Sequence, residues 1–265
     1  MRLAVLVKQV PDTRSVRMDE TTGTVVRNSS DAILNPLDAY ALRAALLLRA
    51  AVPGSSVTAF SMGPPAAEKA LREVLALGAD DAVLVCDRAC AGSDTWATAV
   101  ILAAALQKHG PFDLVVTGER ATDGDTGQVG PEIAAHLNLS LATFVDQVGM
   151  NAGGLEVERK VETGLERWRL QLPALISVTK AIGEVGLPTL AGKMAARRRA
   201  IPVTTVADLG LDPATIGLKG SPTRVVKIFY PSLARKGRQY RVIDEASLAA
   251  SVEVMVKYMA EVSAV

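Results

Sequence analysis

Through its first half the chain alternates apolar runs of strand length with helix-length segments, and only a few residues separate one from the next. That rhythm confines the fold more than any other feature, because short connections between alternating strands and helices build a parallel sheet flanked by helices. Leu3–Val7 reads as a buried strand, and Thr24–Val26 after Thr22-Gly23 as a short excursion or hairpin. Asn35-Pro36 marks a helix start, since Asn can cap and Pro suits the first helical position. The helix is expected from Leu37 to about Arg49. Val57–Ser61, Ala82–Val85 and Leu114–Thr117 follow as strands, separated by helices over Ala66–Leu77 and Thr95–His109 and followed by one around Glu132–Leu137.

The rhythm changes after Thr143. Asn151-Ala152-Gly153-Gly154 is a turn signal between β-like stretches, Leu155–Val161 and Glu166–Leu172 read as paired strands, and Ala174–Thr179 as another. An antiparallel addition to the parallel sheet is expected. From Ile182 glycines and prolines interrupt the chain repeatedly, which predicts an irregular arm. The last clear element is a helix from Asp244 to about Val262 carrying Leu248, Val252, Met255, Val256 and Met259. The expected organisation is therefore an α/β domain over 1–181, followed by an irregular arm and a helix over 182–265 whose apolar face packs on another chain or back on its own domain.

Charge and composition exclude several functions. With 29 Lys plus Arg against 28 Asp plus Glu, a net charge of +1 supplies no field for nucleic acid. The basic runs Arg197-Arg198-Arg199 and Arg235, Lys236, Arg238, Arg241 read best as solvated faces or protein contacts. Cys86 and Cys90 are spaced C-x-x-x-C, which is neither a redox nor a zinc pattern, and two histidines give a metal no ligand set. The longest apolar stretch, Ala97–Leu106, is about half a membrane span, and the first strand begins almost at once. A soluble cytoplasmic protein is the expectation.

Ligands of open parallel sheets sit beyond the carboxyl ends of the strands. There the chain carries Gly118-Glu119-Arg120-Ala121-Thr122-Asp123-Gly124-Asp125-Thr126-Gly127-Gln128-Val129-Gly130-Pro131. Glycines let backbone N–H groups approach a phosphate, Thr122 and Thr126 add hydroxyls, and the next helix offers its positive end. Asp123 and Asp125 suit ribose hydroxyls or loop amides rather than phosphate. Asp94-Thr95-Trp96-Ala97-Thr98 opens the preceding helix, with Thr95 and Thr98 on one face. The loop is not a calcium loop, because Gly127 and Ala134 fall where ligands are needed. No G-x-G-x-x-G follows the first strand, and no nucleophile with a base stands out, so no catalytic residue is expected.

Lys8-Gln9-Val10-Pro11-Asp12-Thr13, Asn35-Pro36-Leu37-Asp38, Met62-Gly63-Pro64, Ala79-Asp80, the Gly118–Pro131 loop and Gly220-Ser221-Pro222-Thr223-Arg224-Val225-Val226-Lys227 together resemble the beta subunit of electron-transfer flavoproteins, in order and over essentially the whole chain. The resemblance implies a doubly wound α/β domain like that of the adenine-nucleotide hydrolases, with an arm and C-terminal helix embracing an alpha subunit. It implies nucleotide contacts at Leu6, Asn35, Pro36, Leu37, Asp38, Met62 and Arg120–Pro131, and a docking position at Leu190. Gly124, where an AMP-type loop has a third acid, and Asp94-Thr95-x-Ala97-Thr98 are similar to the electron-bifurcating branch. There the nucleotide is FAD reduced by NADH, and the electrons part toward ferredoxin or flavodoxin and toward an acyl-CoA dehydrogenase or quinone oxidoreductase. The alternatives are an AMP-binding subunit without its own flavin and, more remotely, an ATP-using hydrolase or ligase, which Lys8-Gln9-Val10-Pro11 does not support. Glu184-Val185-Gly186 departs from the family's Glu-Pro-Arg.

Overall fold

A computed structural model describes residues 1–12, 17–18, 25–26, 32–151, 154–224, 226, 237 and 239–262. The expected hairpin around Thr24–Val26, the Ala152-Gly153 turn, the basic residues Arg235, Lys236 and Arg238, and the family motif's Val225 and Lys227 lie wholly or partly outside the described residues. The chain forms two compact units, Met1–Arg224 and Val225–Val265.

In the first unit the elements run β1 (Arg2–Leu6), β2 (Gln9–Pro11), β3 (Arg17–Met18), β4 (Val25–Val26), β5 (Ala32–Leu34), α1 (Pro36–Ala51), β6 (Ser56–Met62), α2 (Glu68–Leu77), β7 (Asp81–Val85), α3 (Thr95–His109) and β8 (Leu114–Gly118). They continue with α4 (Val129–Leu137), β9 (Ser140–Asn151), β10 (Gly154–Val161), β11 (Gly164–Leu170), β12 (Ala174–Val178), α5 (Leu190–Arg198), β13 (Val203–Thr204) and α6 (Gly217–Gly220). Nine strands form one sheet in the order β11-β10-β9-β12-β8-β1-β6-β7-β13. From β9 to β13 neighbours are parallel, and β10 and β11 add the antiparallel pair. The expected α/β class, mostly parallel with an antiparallel addition, is the fold observed.

Two apolar layers cover the sheet. Leu42, Leu48, Leu71 and Val74 of α1 and α2 pack on one face, and Ile101, Leu102, Leu106 and Ile133 of α3 and α4 on the other. Strands buried on both sides read as continuous apolar runs, which is why β1 and β8 were legible in the sequence. The order also reverses about β1: the chain proceeds outward through β6 and β7, then α3 returns it to β8 on the opposite flank of β1. That reversal opens a crevice between the carboxyl ends of β1 and β8.

Two elements depart from the sequence reading. The segment taken as a recognition loop holds α5, a nine-residue helix whose first turn is capped by the Thr189 hydroxyl accepting from Gly192 N at 3.0 Å. The β-like stretch before Asn151 is β9, twelve residues long, for which the sequence offered no bounds. It is held from both sides by β12 and β10 and broken by a bulge, where Phe144 takes φ +56° and donates its N–H to Ser177 Oγ at 3.1 Å.

The second unit contains α7 (Glu245–Val262). Asp244 and Ser247 cap it reciprocally: Ser247 N donates to Asp244 Oδ1 at 2.7 Å, and Asp244 N to Ser247 Oγ at 3.0 Å. Among the described residues no helix is long and apolar enough to cross a membrane.

Candidate functional site

The crevice at the β1/β8 reversal is a cavity of about 420 Å³, within the range of sites that hold small molecules and cofactors. Its floor is apolar, formed by Leu6 at the end of β1, Phe60 and Met62 of β6, and Leu102 of α3. Its rim is the glycine-containing loop after β8 together with the first turns of α3 and α4. Cys90 also faces it. Burial, and secondarily the charge of Asp87, pushes that thiol up to about 11, so it lines the wall as a neutral group.

Asp38 fastens the ends of β1 and β8 together. It lies in the first turn of α1, is buried, and accepts the Lys8 N–H at 2.7 Å and a further backbone hydrogen bond from Gly118. Burial outweighs these bonds and pushes its pKa from 3.8 up to about 7. Gly118 makes the junction possible. A Cβ there would stand 2.6 Å from Asp38 Oδ1 and 2.8 Å from the Leu37 backbone, closer than real atoms approach.

Asn35 has a tertiary task in place of the expected local one. It stands at the N-cap of α1, but its side chain makes no cap bond. Fully buried, it donates through Nδ2 to the Arg120 carbonyl at 3.0 Å and accepts from Thr122 N at 3.3 Å, clamping the loop after β8. Asp123 accepts from the Gly124 N–H at 2.8 Å and pairs with Lys8 Nζ at 2.7 Å. Arg120 pairs with Asp125 at 3.1 Å. The two acids are thus neutralised within the chain, and Asp123 serves a loop amide as expected of it.

On the opposite wall Asp94 caps α3 through Ala97 N at 3.0 Å and accepts from the N–H and hydroxyl of Thr223 at 2.9 and 2.8 Å. Slight burial opposes ionisation, but these bonds and that of Ser221 outweigh it and hold the carboxyl below its ordinary value. Thr95 lines the crevice and donates its hydroxyl to Glu132 Oε1 at 3.1 Å. Burial raises the pKa of Glu132.

The structure therefore gathers Leu6, Asp38, Met62, Asp94, Thr95, Thr98, Arg120, Ala121 and Gly124 to Gly130 around one cavity. Asn35, Pro36, Leu37, Thr122, Asp123 and Pro131 are not part of that lining. Leu190 opens α5, exposed and outside the crevice. Sequence reasoning missed Lys8 in the connection after β1, and Phe60, Leu102 and Thr117, which reach the site from strands and a helix whose facing is fixed only by the sheet order. Among the described residues no cluster of three or more His, Cys, Asp or Glu could hold a metal.

The fold is that of a doubly wound α/β protein with a crevice at its switch point. The chain belongs to the electron transfer flavoprotein family, among its beta subunits: the family's domain matches residues 22–209. It is 42% identical over 267 residues to the electron transfer flavoprotein subunit beta of Megasphaera elsdenii, covering 98% of this chain and 99% of that one. It is 43% identical over 231 residues to the Caffeyl-CoA reductase-Etf complex subunit CarD of Acetobacterium woodii, with 87% and 88% covered. Protein FixA of Azorhizobium caulinodans is 41% identical over 240 residues, covering 88% and 85%.

Proposed function

We propose that this chain is the beta subunit of a heterodimeric electron-transfer flavoprotein that binds FAD in the β1/β8 crevice and takes electrons from NADH. The electrons are then divided between a low-potential carrier, ferredoxin or flavodoxin, and an acyl-CoA dehydrogenase or quinone oxidoreductase. The observation that carries this reading is the make-up of the cavity. An apolar floor suits a flat ring system, while the rim of backbone N–H groups, Thr98 and Thr126 suits a pyrophosphate and ribityl chain.

Gly124 supports FAD over AMP. A Cβ at this position would meet nothing of the chain within 4 Å, and the residue has no positive φ. The protein itself makes no demand for glycine there, so the open space on the rim serves what the cavity holds. FAD, when bound, supplies the redox chemistry, and the chain's residues hold and orient it and exclude water. The relative in a Caffeyl-CoA reductase-Etf complex supports an acyl-CoA-linked oxidoreductase as one partner.

The test is to co-express the chain with its alpha subunit, purify the heterodimer and release its nucleotides. Two FAD per heterodimer is the expected result. One FAD with one AMP would overturn the flavin assignment in this subunit.

A further inference from the structure

Glu132 reaches from α4 to α3, and its two carboxyl oxygens have different surroundings. Oε1 meets the Thr95 hydroxyl at 3.1 Å, whereas Oε2 is fully enclosed without a hydrogen-bond partner among the described residues. An ionised carboxylate needs donors to replace the water lost on burial, and an oxygen left with none makes the charged form unfavourable. The charges facing the group act in both directions. Asp94 at the start of α3 is itself held ionised and opposes a second negative charge beside it, while His136, one turn further along α4, favours one. The strands packed on α4 add the uncharged Leu175 of β12 and Leu141 of β9. Burial is the largest influence and raises the Glu132 pKa by more than the Thr95 bond lowers it.

Thr95 connects this carboxyl to the crevice. It is partly buried and lines the cavity, and its Oγ1 stands 3.1 Å from Glu132 Oε1 and 3.5 Å from Gln128 Oε1. A hydroxyl has one proton to give and two lone pairs. When Glu132 is ionised, its oxygen takes that proton, and none is left for a ligand. When Glu132 carries a proton on Oε1, the carboxyl donates to Thr95 instead. The Thr95 proton is then free for an acceptor in the crevice, because the contact to Gln128 is too long to hold it firmly. The same pair of oxygens stays in contact throughout, and only the direction of the bond reverses.

We propose that Glu132 is a positioning residue of the crevice, which takes up a proton from solvent as the ligand binds and so turns the Thr95 hydroxyl toward that ligand as a donor. The inference rests on the reading of the crevice as a flavin site, where ring oxygens and nitrogens and ribityl hydroxyls are the acceptors. Its sign is fixed. The protonated form of Glu132 is the one that favours binding, so affinity is highest at the acid end and declines as pH rises through the Glu132 pKa. A carboxyl that only held α3 against α4 would change stability and leave the pH profile of binding alone.

The experiment prepares wild type, Glu132→Gln and Thr95→Val as heterodimers stripped of nucleotide and titrates each with FAD from about pH 5 to pH 8. Both substitutions lie in this chain, so differences between variants report this crevice and not the alpha subunit. Asp38, the other crevice carboxyl with a raised pKa, is present in all three proteins and cancels in the comparison. Across the range wild type should lose roughly three- to ten-fold more affinity than either variant, the contribution of one hydrogen bond. Glu132→Gln keeps the shape and a donor toward Thr95 at every pH, so its profile should be flat at the acid-end affinity of wild type. Thr95→Val should be equally flat at the weaker level. A wild-type pH profile in either folded variant would overturn the Glu132 assignment and leave the crevice reading standing. Should Glu132→Gln fail to fold, Thr95→Val decides alone. A wild type that takes up only one FAD per heterodimer would overturn the flavin reading and this inference together.

Discussion

The two compact units treat their apolar residues in opposite ways. In Met1–Arg224 the strands β8 and β12 are buried along their whole length, and the inner faces of α1 to α4 close on the sheet. In the second unit Leu248, Val252, Met255, Val256 and Met259 recur at helical spacing along α7, and each is about half exposed or more. The first unit closes its sheet and helices on one another, although Leu187 and Leu190 stay exposed. The stripe on α7 has the form of a face made for cover by another molecule. The same contrast appears in small within the first unit: Gly118 is pressed against its own chain, whereas Gly124 faces nothing of it.

The largest expected effect breaks the two units apart. Removing residues 245–265 should abolish co-purification with the alpha subunit and leave the α/β unit folded, with its cooperative melt retained by circular dichroism. A truncated chain recovered in complex at full yield would show that the α7 stripe is not a docking face.

Next in size is a pH effect of opposite sign in the two units. Folding raises the Asp38 pKa from 3.8 to about 7, so between those values the folded state binds more protons than the unfolded. Stability from this group is present at the acid end of the window and lost as pH rises through it, by roughly 1.4 kcal/mol per pH unit at most. Asp38→Asn keeps an acceptor for the Lys8 N–H and should remove that decline. The Asp244 carboxyl at the start of α7 is held below its ordinary value by the Ser247 hydroxyl and N–H. Its contribution is lost only as pH falls below the carboxylate range. Denaturant midpoints of wild type and Asp38→Asn from pH 4 to 7 measure the difference, and parallel curves would contradict the burial effect.

The smallest effects sharpen the contrast between the two glycines. Gly118→Ala forces a methyl group against the Asp38 carboxylate and the Leu37 backbone, and should cost about 1–3 kcal/mol in unfolding free energy. Gly124→Ala should lie within about 0.5 kcal/mol of wild type, while Gly124→Asp, with its added bulk and charge, should lower the nucleotide content of the purified heterodimer. Equal nucleotide content in Gly124→Asp would remove this residue from the site.

The sequence by itself determined the elements whose signals are local. Asp94 before Thr95 and Gly110-Pro111 after His109 bound α3 where expected, because a cap and a stop act within a turn. The apolar runs of β1, β6, β7 and β8 were legible because strands covered on both faces need no partner to explain their composition. That the glycine loop and the α3 start stand together at the strand ends was readable from residue type and place. What stayed hidden depended on neighbours distant in the chain. β9 has its full length because β12 and β10 pair with it, and α5 forms because it packs on α2. Asn35 carries the signal of a helix cap, yet it is spent on Arg120 and Thr122, residues more than eighty positions away. Thr117 looks like one more strand residue until the sheet order sets it beneath Gly130 and facing the crevice. Capping and periodicity are decided within a few residues, but the partner of a buried polar atom is decided by which strands become neighbours, and only the folded chain fixes that.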